Sequence, residues 1–139
     1  MIHFFMPMRT PTITNQEHKV RVIKGKPIIY EPDELKSAKA LITDSLAKYK
    51  PKMETIKDPV RLTVKWLFPT QEGHHNQEYK YTKPDTDNLD KMLKDCMTRV
   101  GFWKDDALVV SEIIEKFWAD PSGIYIKLEV WDGSEKVFK

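Results

Sequence analysis

Apolar and polar residues alternate along several stretches of the chain, in the pattern typical of β-strands. In residues 60–68 every second residue is large and apolar, so these side chains share one face of a strand, which Pro69 ends. Similar patterns predict strands in residues 2–8, 18–23, 27–30, 107–118 and 123–131. The second and third of these are joined by Lys24, Gly25 and Lys26, and we expect them to form a hairpin.

Two other stretches repeat apolar residues at helical spacing. The first follows Asp33 and is stopped by Pro51, and the second runs from about Asp87 to Arg99, with Gly101 at its C-terminal end. Their apolar residues are Leu35, Ala38, Leu41, Ile42, Leu46 and Tyr49 in the first helix, and Leu89, Met92, Leu93, Cys96 and Val100 in the second. Residues 1–139 are therefore predicted to form a single α+β domain, with two main helices packed on a mixed β-sheet.

Between the helices, the polar residues 70–83 form a loop that is long for a compact domain. Loops of this length are usually functional or disordered.

The composition is that of a globular protein with a sizeable core, and it excludes several classes of protein. The chain has no apolar run long enough to cross a bilayer and no basic flank of a signal peptide. Its only cysteine, Cys96, fits a reducing compartment, so we expect a cytoplasmic protein with no membrane partner. The net charge of +2 does not decide whether the protein binds nucleic acid, because a nuclease also needs carboxylates.

Asp85 and Asp87 stand two residues apart in the segment 83–89, Lys-Pro-Asp-Thr-Asp-Asn-Leu. In extended backbone such a pair points to one side, and carboxylate oxygens are the ligands that Mg²⁺ prefers. The alternative is structural: Asp87 caps the second helix, and Asp85 supports the same turn. The pair alone is a weak signal.

A second acidic pair, Asp105 and Asp106, follows Phe102 and Trp103. The helix at 88–100 is about 20 Å long, and the six steps from Val100 to Asp106 reach at most about 20 Å. The chain can thus return alongside its helix and bring Asp106 to the first pair. A second subunit that helps to assemble the site is the other arrangement, and a solvated turn is the structural alternative.

Basic residues lie near these motifs. Lys91 follows Asp87 by four residues, so it forms either a helical ion pair or a cation that stabilises charge on a phosphate, with Asp95 on the same face to hold it. The residues that we expect to contact DNA backbone are Lys19, Arg21, Lys24, Lys26, Lys80 and Lys83, although scattered surface lysines would look the same.

Other metal ligands and nucleophiles are less convincing. His74 and His75 are adjacent and have no partner at zinc-like spacing, while Cys96 falls on the apolar stripe of its helix.

The segment 83–91, then Asp95, then the segment 101–107 (Gly-Phe-Trp-Lys-Asp-Asp-Ala) resembles the RusA family of Holliday-junction resolvases. In that family D-x-D-N-L-x-K opens a helix and G-x-W-x-D-D follows it. The resemblance implies a homodimeric endonuclease that cuts four-way DNA junctions with Mg²⁺ or Mn²⁺, in DNA recombination and repair, and that is often carried by a prophage. Some relatives carry an arginine run before the acidic pair, where this chain has Lys80-Tyr81-Thr82-Lys83.

By position, the resemblance assigns metal binding and catalysis to Asp85, Asp87 and Asp106, and a catalytic lysine to Lys91. Asn88, Asp95 and Asp105 are candidates for supporting roles around them. Alternatives are a less selective metal-dependent nuclease of branched DNA, a non-catalytic DNA-binding protein of the same fold, and a protein-interaction module with incidental acidic turns.

Overall fold

The computed structural model of the protein describes residues 1–14 and 19–130. The helices are α1 (Asp33–Tyr49) and α2 (Thr86–Val100), with a short 3₁₀ helix at Asp106–Leu108. The strands are β1 (Ile2–Pro7), β2 (Lys19–Ile23), β3 (Lys26–Tyr30), β4 (Val60–Pro69), β5 (Glu78–Tyr79), β6 (Val109–Ala119) and β7 (Gly123–Val130). His18, predicted to begin a strand, and Trp131, predicted to end one, lie outside the described residues. No described helix has the length and apolarity needed to cross a membrane.

Five strands form one mixed sheet in the order β1-β7-β4-β6-β5, and the predicted hairpin β2–β3 forms a separate sheet. Strand β4 runs parallel to β6 and antiparallel to β7. Since a parallel pair needs a long crossover, α2 lies on the connection from β4 to β6. The α+β architecture with two main helices on a mixed sheet is confirmed.

The core lies between one face of this sheet and the two helices. The alternating residues of β4 are almost completely buried and form one cluster with the apolar stripes of α1 and α2. Their burial supplies the main driving force for folding. Leu41, predicted to belong to the α1 stripe, is 42% exposed, because it lies off the line of Leu35, Ala38, Ile42 and Leu46. Met97 of α2, which the predicted stripe omits, is fully buried.

The chain that leaves α2 stays at the C-terminal end of the helix. Gly101 has a positive φ of 96° and ends the helix with its N–H bonded to the last turn. Phe102 and Trp103 are then buried, and the Trp103 indole N–H donates to Thr98 Oγ1 at 2.7 Å. This anchoring fixes where the 3₁₀ helix and the start of β6 lie.

Part of the long loop at residues 70–83 is ordered along the edge of β6. Strand β5 pairs with Phe117 and Trp118, and the backbone N–H of Lys80 donates to the Lys116 carbonyl at 2.9 Å. In the same loop, His74 Nδ1 lies 2.9 Å from Glu78 Oε2, and the His74 ring stacks on that of Trp118.

Gly123 offers a test of the pairing between β1 and β7. A Cβ on Gly123 would lie 2.3 Å from the Met6 backbone oxygen, whereas a Cβ on Gly101 would meet nothing within 4 Å. We expect Gly123→Ala to lower the free energy of unfolding by more than about 2 kcal/mol. Gly101→Ala, which only strains a left-handed backbone, should cost about 1 kcal/mol. Urea unfolding measures both, and equal losses would contradict the close approach of the two strands.

Candidate active site

Asp85 and Asp87 lie at the N-terminal end of α2, and both residues are exposed. Asp85 is the N-cap residue by position, but its side chain makes no capping hydrogen bond. Asp87 lies inside the first turn, where its Oδ1 accepts the backbone N–H of the half-buried Asn88 at 2.9 Å. The structural alternative with Asp87 as the N-cap is therefore wrong, and of the two residues expected in extended backbone only Asp85 is extended. The helix dipole still favours negative charge at this end.

Asp106 begins the 3₁₀ helix at the opposite end of α2. It lines a cleft of about 460 Å³ together with Thr98 and Arg99 of the last helical turn, with the exposed Asp95, and with Asp105. The Asp105 carboxylate accepts the backbone N–H of Ala107 at 2.9 Å, so it caps the 3₁₀ helix. Asp106 itself is partly buried.

One chain does not bring the three aspartates together. Asp106 is separated from Asp85 and Asp87 by the length of α2, whose 15 residues span about 22 Å. The expected return of the chain alongside the helix happens only after Asp106, within β6, because burial of Phe102 and Trp103 holds the preceding segment at the helix end. Among residues 1–14 and 19–130, no three His, Cys, Asp or Glu side chains are grouped to hold a metal ion.

The candidate basic residues fall in different environments. Lys91 is exposed one turn after Asp87, and Lys83 is exposed beside Asp85. Lys24 and Lys26 are exposed at the hairpin turn. The side chains of Lys19 and Arg21 are not among those that the structure describes.

Lys80, expected to contact DNA, is instead only 7% exposed. Its ammonium group lies over the rings of Phe68 and Trp118, at 5.2 and 4.7 Å from their centroids. It donates to Thr82 Oγ1 and to the Lys83 carbonyl. Burial, followed by the nearby charge of Lys116, lowers the pKa of Lys80. The prediction for Lys80 is wrong because a long side chain on a polar segment was taken to face solvent.

Lys116 of β6 is a residue that the sequence did not single out. Its Nζ donates to the carbonyl oxygens of Thr82 and Pro84, both at 2.7 Å. Burial lowers the pKa of Lys116, and the charge of Asp85 opposes this shift. These contacts place the end of β6 beside the N-terminal end of α2. A single lysine in an apolar strand gives no signal of such a role.

A cluster of three charged residues that the sequence did not single out lies between the middle of α2 and β6. Asp90 is 7% exposed, and Lys94 Nζ lies 3.3 Å from its Oδ2 and 2.6 Å from Glu112 Oε1. Burial raises the pKa of Asp90 to about 7, and the adjacent carboxyl of Glu112 contributes to the rise. Burial alone would raise the pKa of Glu112, but hydrogen bonds with Asp90 and Lys94 bring it below its ordinary value. The four-residue spacing of Asp90 and Lys94 was the only hint in the sequence.

Comparison with known proteins identifies the class. Residues 9–129 match the family model described as "Endodeoxyribonuclease RusA". The chain therefore belongs to the RusA family of endodeoxyribonucleases. A relative described as "Crossover junction endodeoxyribonuclease rusA", from Lactococcus phage r1t, is 31% identical over 103 residues, which cover 73% of this chain and 76% of the relative.

The Asp90 carboxyl predicts how stability depends on pH. Its pKa rises from an ordinary 3.8 to about 7 on folding. Between these values the folded state retains a proton that the unfolded chain releases, so the free energy of unfolding falls as the pH rises towards 7. Asp90→Asn, whose amide can donate to Glu112, should remove this decline, so that the Tm of the variant relative to wild type is several degrees higher at pH 8 than at pH 5.

The control is Asp44→Asn on the exposed face of α1, which should leave the pH profile of Tm unchanged. Parallel Tm profiles for wild type and Asp90→Asn, measured from pH 5 to pH 8, would contradict the raised pKa.

Proposed function

We propose that the protein is an endonuclease that resolves four-way DNA junctions by metal-dependent hydrolysis of phosphodiester bonds, in DNA recombination and repair. Membership of the RusA family, together with the exposed Asp85 carboxylate, is the observation that carries the proposal. A cap-forming aspartate would use its side chain on the helix N–H groups, and Asp85 does not. We also propose a cytoplasmic location and an origin in a phage or prophage, the latter supported by a relative from a phage.

The separation of the aspartates leads us to propose that the active sites form between two copies of the chain. The outer edge of β6 is occupied by β5 and neighbouring residues only from Lys116 onwards. Within the described part of the chain, residues 109–115 have no strand partner on that side. This stretch carries Val110 and Ile113, which are 62% and 45% exposed. Unpaired edges of this kind commonly pair with another chain.

An antiparallel pair of β6 strands would place complementary ends together. Strand β6 runs antiparallel to α2, since Lys116 contacts Pro84 before the helix, and Glu112 contacts Lys94 within it. A two-fold axis near Glu112 would therefore bring the start of the partner's β6 to the end of this one. The partner's Asp106 would then approach Asp85 and Asp87.

In such a dimer the donor set fits a hard divalent cation. Asp85, Asp87 and the partner's Asp106 would supply oxygen ligands to Mg²⁺ or Mn²⁺. The bound ion would supply positive charge at the scissile phosphate. Lys91, exposed on the same end of α2, would stabilise the negative charge that develops on the phosphate. Lys83 and the hairpin residues Lys24 and Lys26 would contact DNA backbone, and a two-fold dimer suits a junction that is itself nearly two-fold symmetric.

A less selective nuclease of branched DNA is the second candidate, because no arginine run precedes Asp85. A non-catalytic DNA-binding protein gains nothing from exposed carboxylates that face phosphate. Cleavage of a labelled four-way junction beside matched linear duplex, with Mg²⁺ or with EDTA, separates these functions. Cutting of both substrates favours the less selective nuclease, and metal-independent binding without cutting favours the non-catalytic protein.

Substitution at Asp85 tests the role of its carboxylate. Asp85→Asn should lower cleavage of a four-way junction by at least about 100-fold, because a metal ligand is lost while shape is kept. Junction binding in a gel shift and Tm should change little, since the side chain is exposed and caps nothing. If binding and folding fail together with cleavage, the residue is structural.

Mixed dimers test whether each site uses both chains. Asp85→Asn and Asp106→Asn should each be inactive alone. Unfolded and refolded together, they form dimers in which one site keeps all its wild-type aspartates, so nicking of one strand should return. The control is co-refolding of Asp85→Asn with Asp87→Asn, which lie on the same side of the site and should not complement. Absence of nicking in both mixtures would rule out the shared site.

A further inference from the structure

The segment that delivers Asp85 to the N-terminus of α2 has no regular secondary structure. Residues 82–84 lie between β5 and the first turn of α2. Their carbonyl oxygens cannot be satisfied by a strand or a helix ladder, so another donor must hold them or they face water. The conformation of this segment decides where the Asp85 carboxylate lies.

Two lysines supply the donors from inside the protein. Lys80 Nζ reaches Thr82 Oγ1 at 2.6 Å and the Lys83 carbonyl. Lys116 Nζ reaches the carbonyls of Thr82 and Pro84. All three residues that precede Asp85 are thus bonded to an ammonium group. Hydrogen bonds from charged donors are about twice as strong as neutral ones.

The placement of both ammonium groups is itself fixed. Lys80 is held between the rings of Phe68 and Trp118, and its backbone N–H is bonded to the Lys116 carbonyl. Lys116 is the register partner of Trp66 in the parallel pair of β4 and β6. It therefore projects from the same face of the sheet, the one that the helices cover. The rings and the sheet belong to the hydrophobic core. The bonds from Lys80 and Lys116 therefore fix the position of residues 82–84 relative to that core.

We propose that Lys80 and Lys116 are positioning residues, which hold residues 82–84 so that the Asp85 carboxylate is preorganised for metal and phosphate. The inference rests on the proposed function, because it deepens the account of the same site. Neither lysine is assigned contact with DNA or with the metal. Their role differs from that of Lys83 and Lys91, which are exposed and free to meet the substrate directly.

Lys116 gives the sharper test because it is less buried than Lys80. Lys116→Met keeps the length and apolar stem but removes both donors to the loop. We expect amide hydrogen exchange at the start of α2, where the Leu89 N–H is bonded to the Asp85 carbonyl, to accelerate at least tenfold, with the rest of the chain unchanged. The Mn²⁺ concentration for half-saturation, followed by electron paramagnetic resonance, should rise at least fivefold, and junction binding in EDTA should stay within twofold.

Two further variants complete the design. Lys116→Arg retains donors for both carbonyls and should restore exchange and Mn²⁺ affinity to within about threefold of wild type. Lys65→Met changes a lysine of the neighbouring strand on the opposite sheet face, where its ammonium lies over the Tyr125 ring, and should alter neither readout. If Lys116→Met fails to fold, Lys116→Gln, which keeps one donor, replaces it.

The outcomes separate the inference from the proposed function. Faster exchange at the start of α2 with weaker Mn²⁺ binding, rescued by arginine, supports positioning by Lys116. Wild-type exchange and Mn²⁺ affinity in Lys116→Met, or equal defects in the Met and Arg variants, overturns it. If wild type binds Mn²⁺ but cuts no junction, the proposed function fails while the exchange and binding measurements still decide the positioning role.

Discussion

Packing of the α2 stripe onto the covered face of the sheet is the constraint on which the site depends. Burial of that stripe, from Leu89 to Met97, leaves Asp87 and Lys91 on the exposed side. Strand β6 runs antiparallel to α2 on the sheet face that the helix covers. The start of α2 therefore lies beside the end of β6, and the end of α2 lies beside the start of β6. The acidic ends of helix and strand are consequently held apart by a rigid body rather than by a loop that can adjust.

A second feature of the structure is that several lysines donate hydrogen bonds within the protein. Lys80, Lys94 and Lys116 all direct their ammonium groups to acceptors within the protein. Lys94 contacts the carboxylates of Asp90 and Glu112 between α2 and β6, whereas Lys80 and Lys116 bond to residues 82–84 before the helix. The formal charge of +2 therefore understates how differently the basic residues are employed. Positive charge available to a polyanion comes from basic residues other than these three lysines.

Periodicity predicted most of the fold, since the buried faces of β4 and α2 depend on local spacing alone. The spacing of Asp85, Asp87 and Lys91 likewise placed all three on the exposed side of one end of the helix. Two features were not predictable. The burial of Lys80 depends on rings from β4 and β6 that are distant in sequence, and the separation of Asp106 depends on where Phe102 and Trp103 are buried. Both are consequences of tertiary packing, which a local pattern does not contain.

The pairing of β1 with β7 has a consequence for folding during synthesis. Ile2 lies opposite Leu128, so the first strand finds its neighbour only when almost all of the described chain has left the ribosome. Until then β1, including the fully buried Met6, lacks its native strand partner. Non-local strand pairs of this kind form late and leave apolar segments open to association. The β1 segment is thus made long before its strand partner and stays open to association while the residues between them are synthesised.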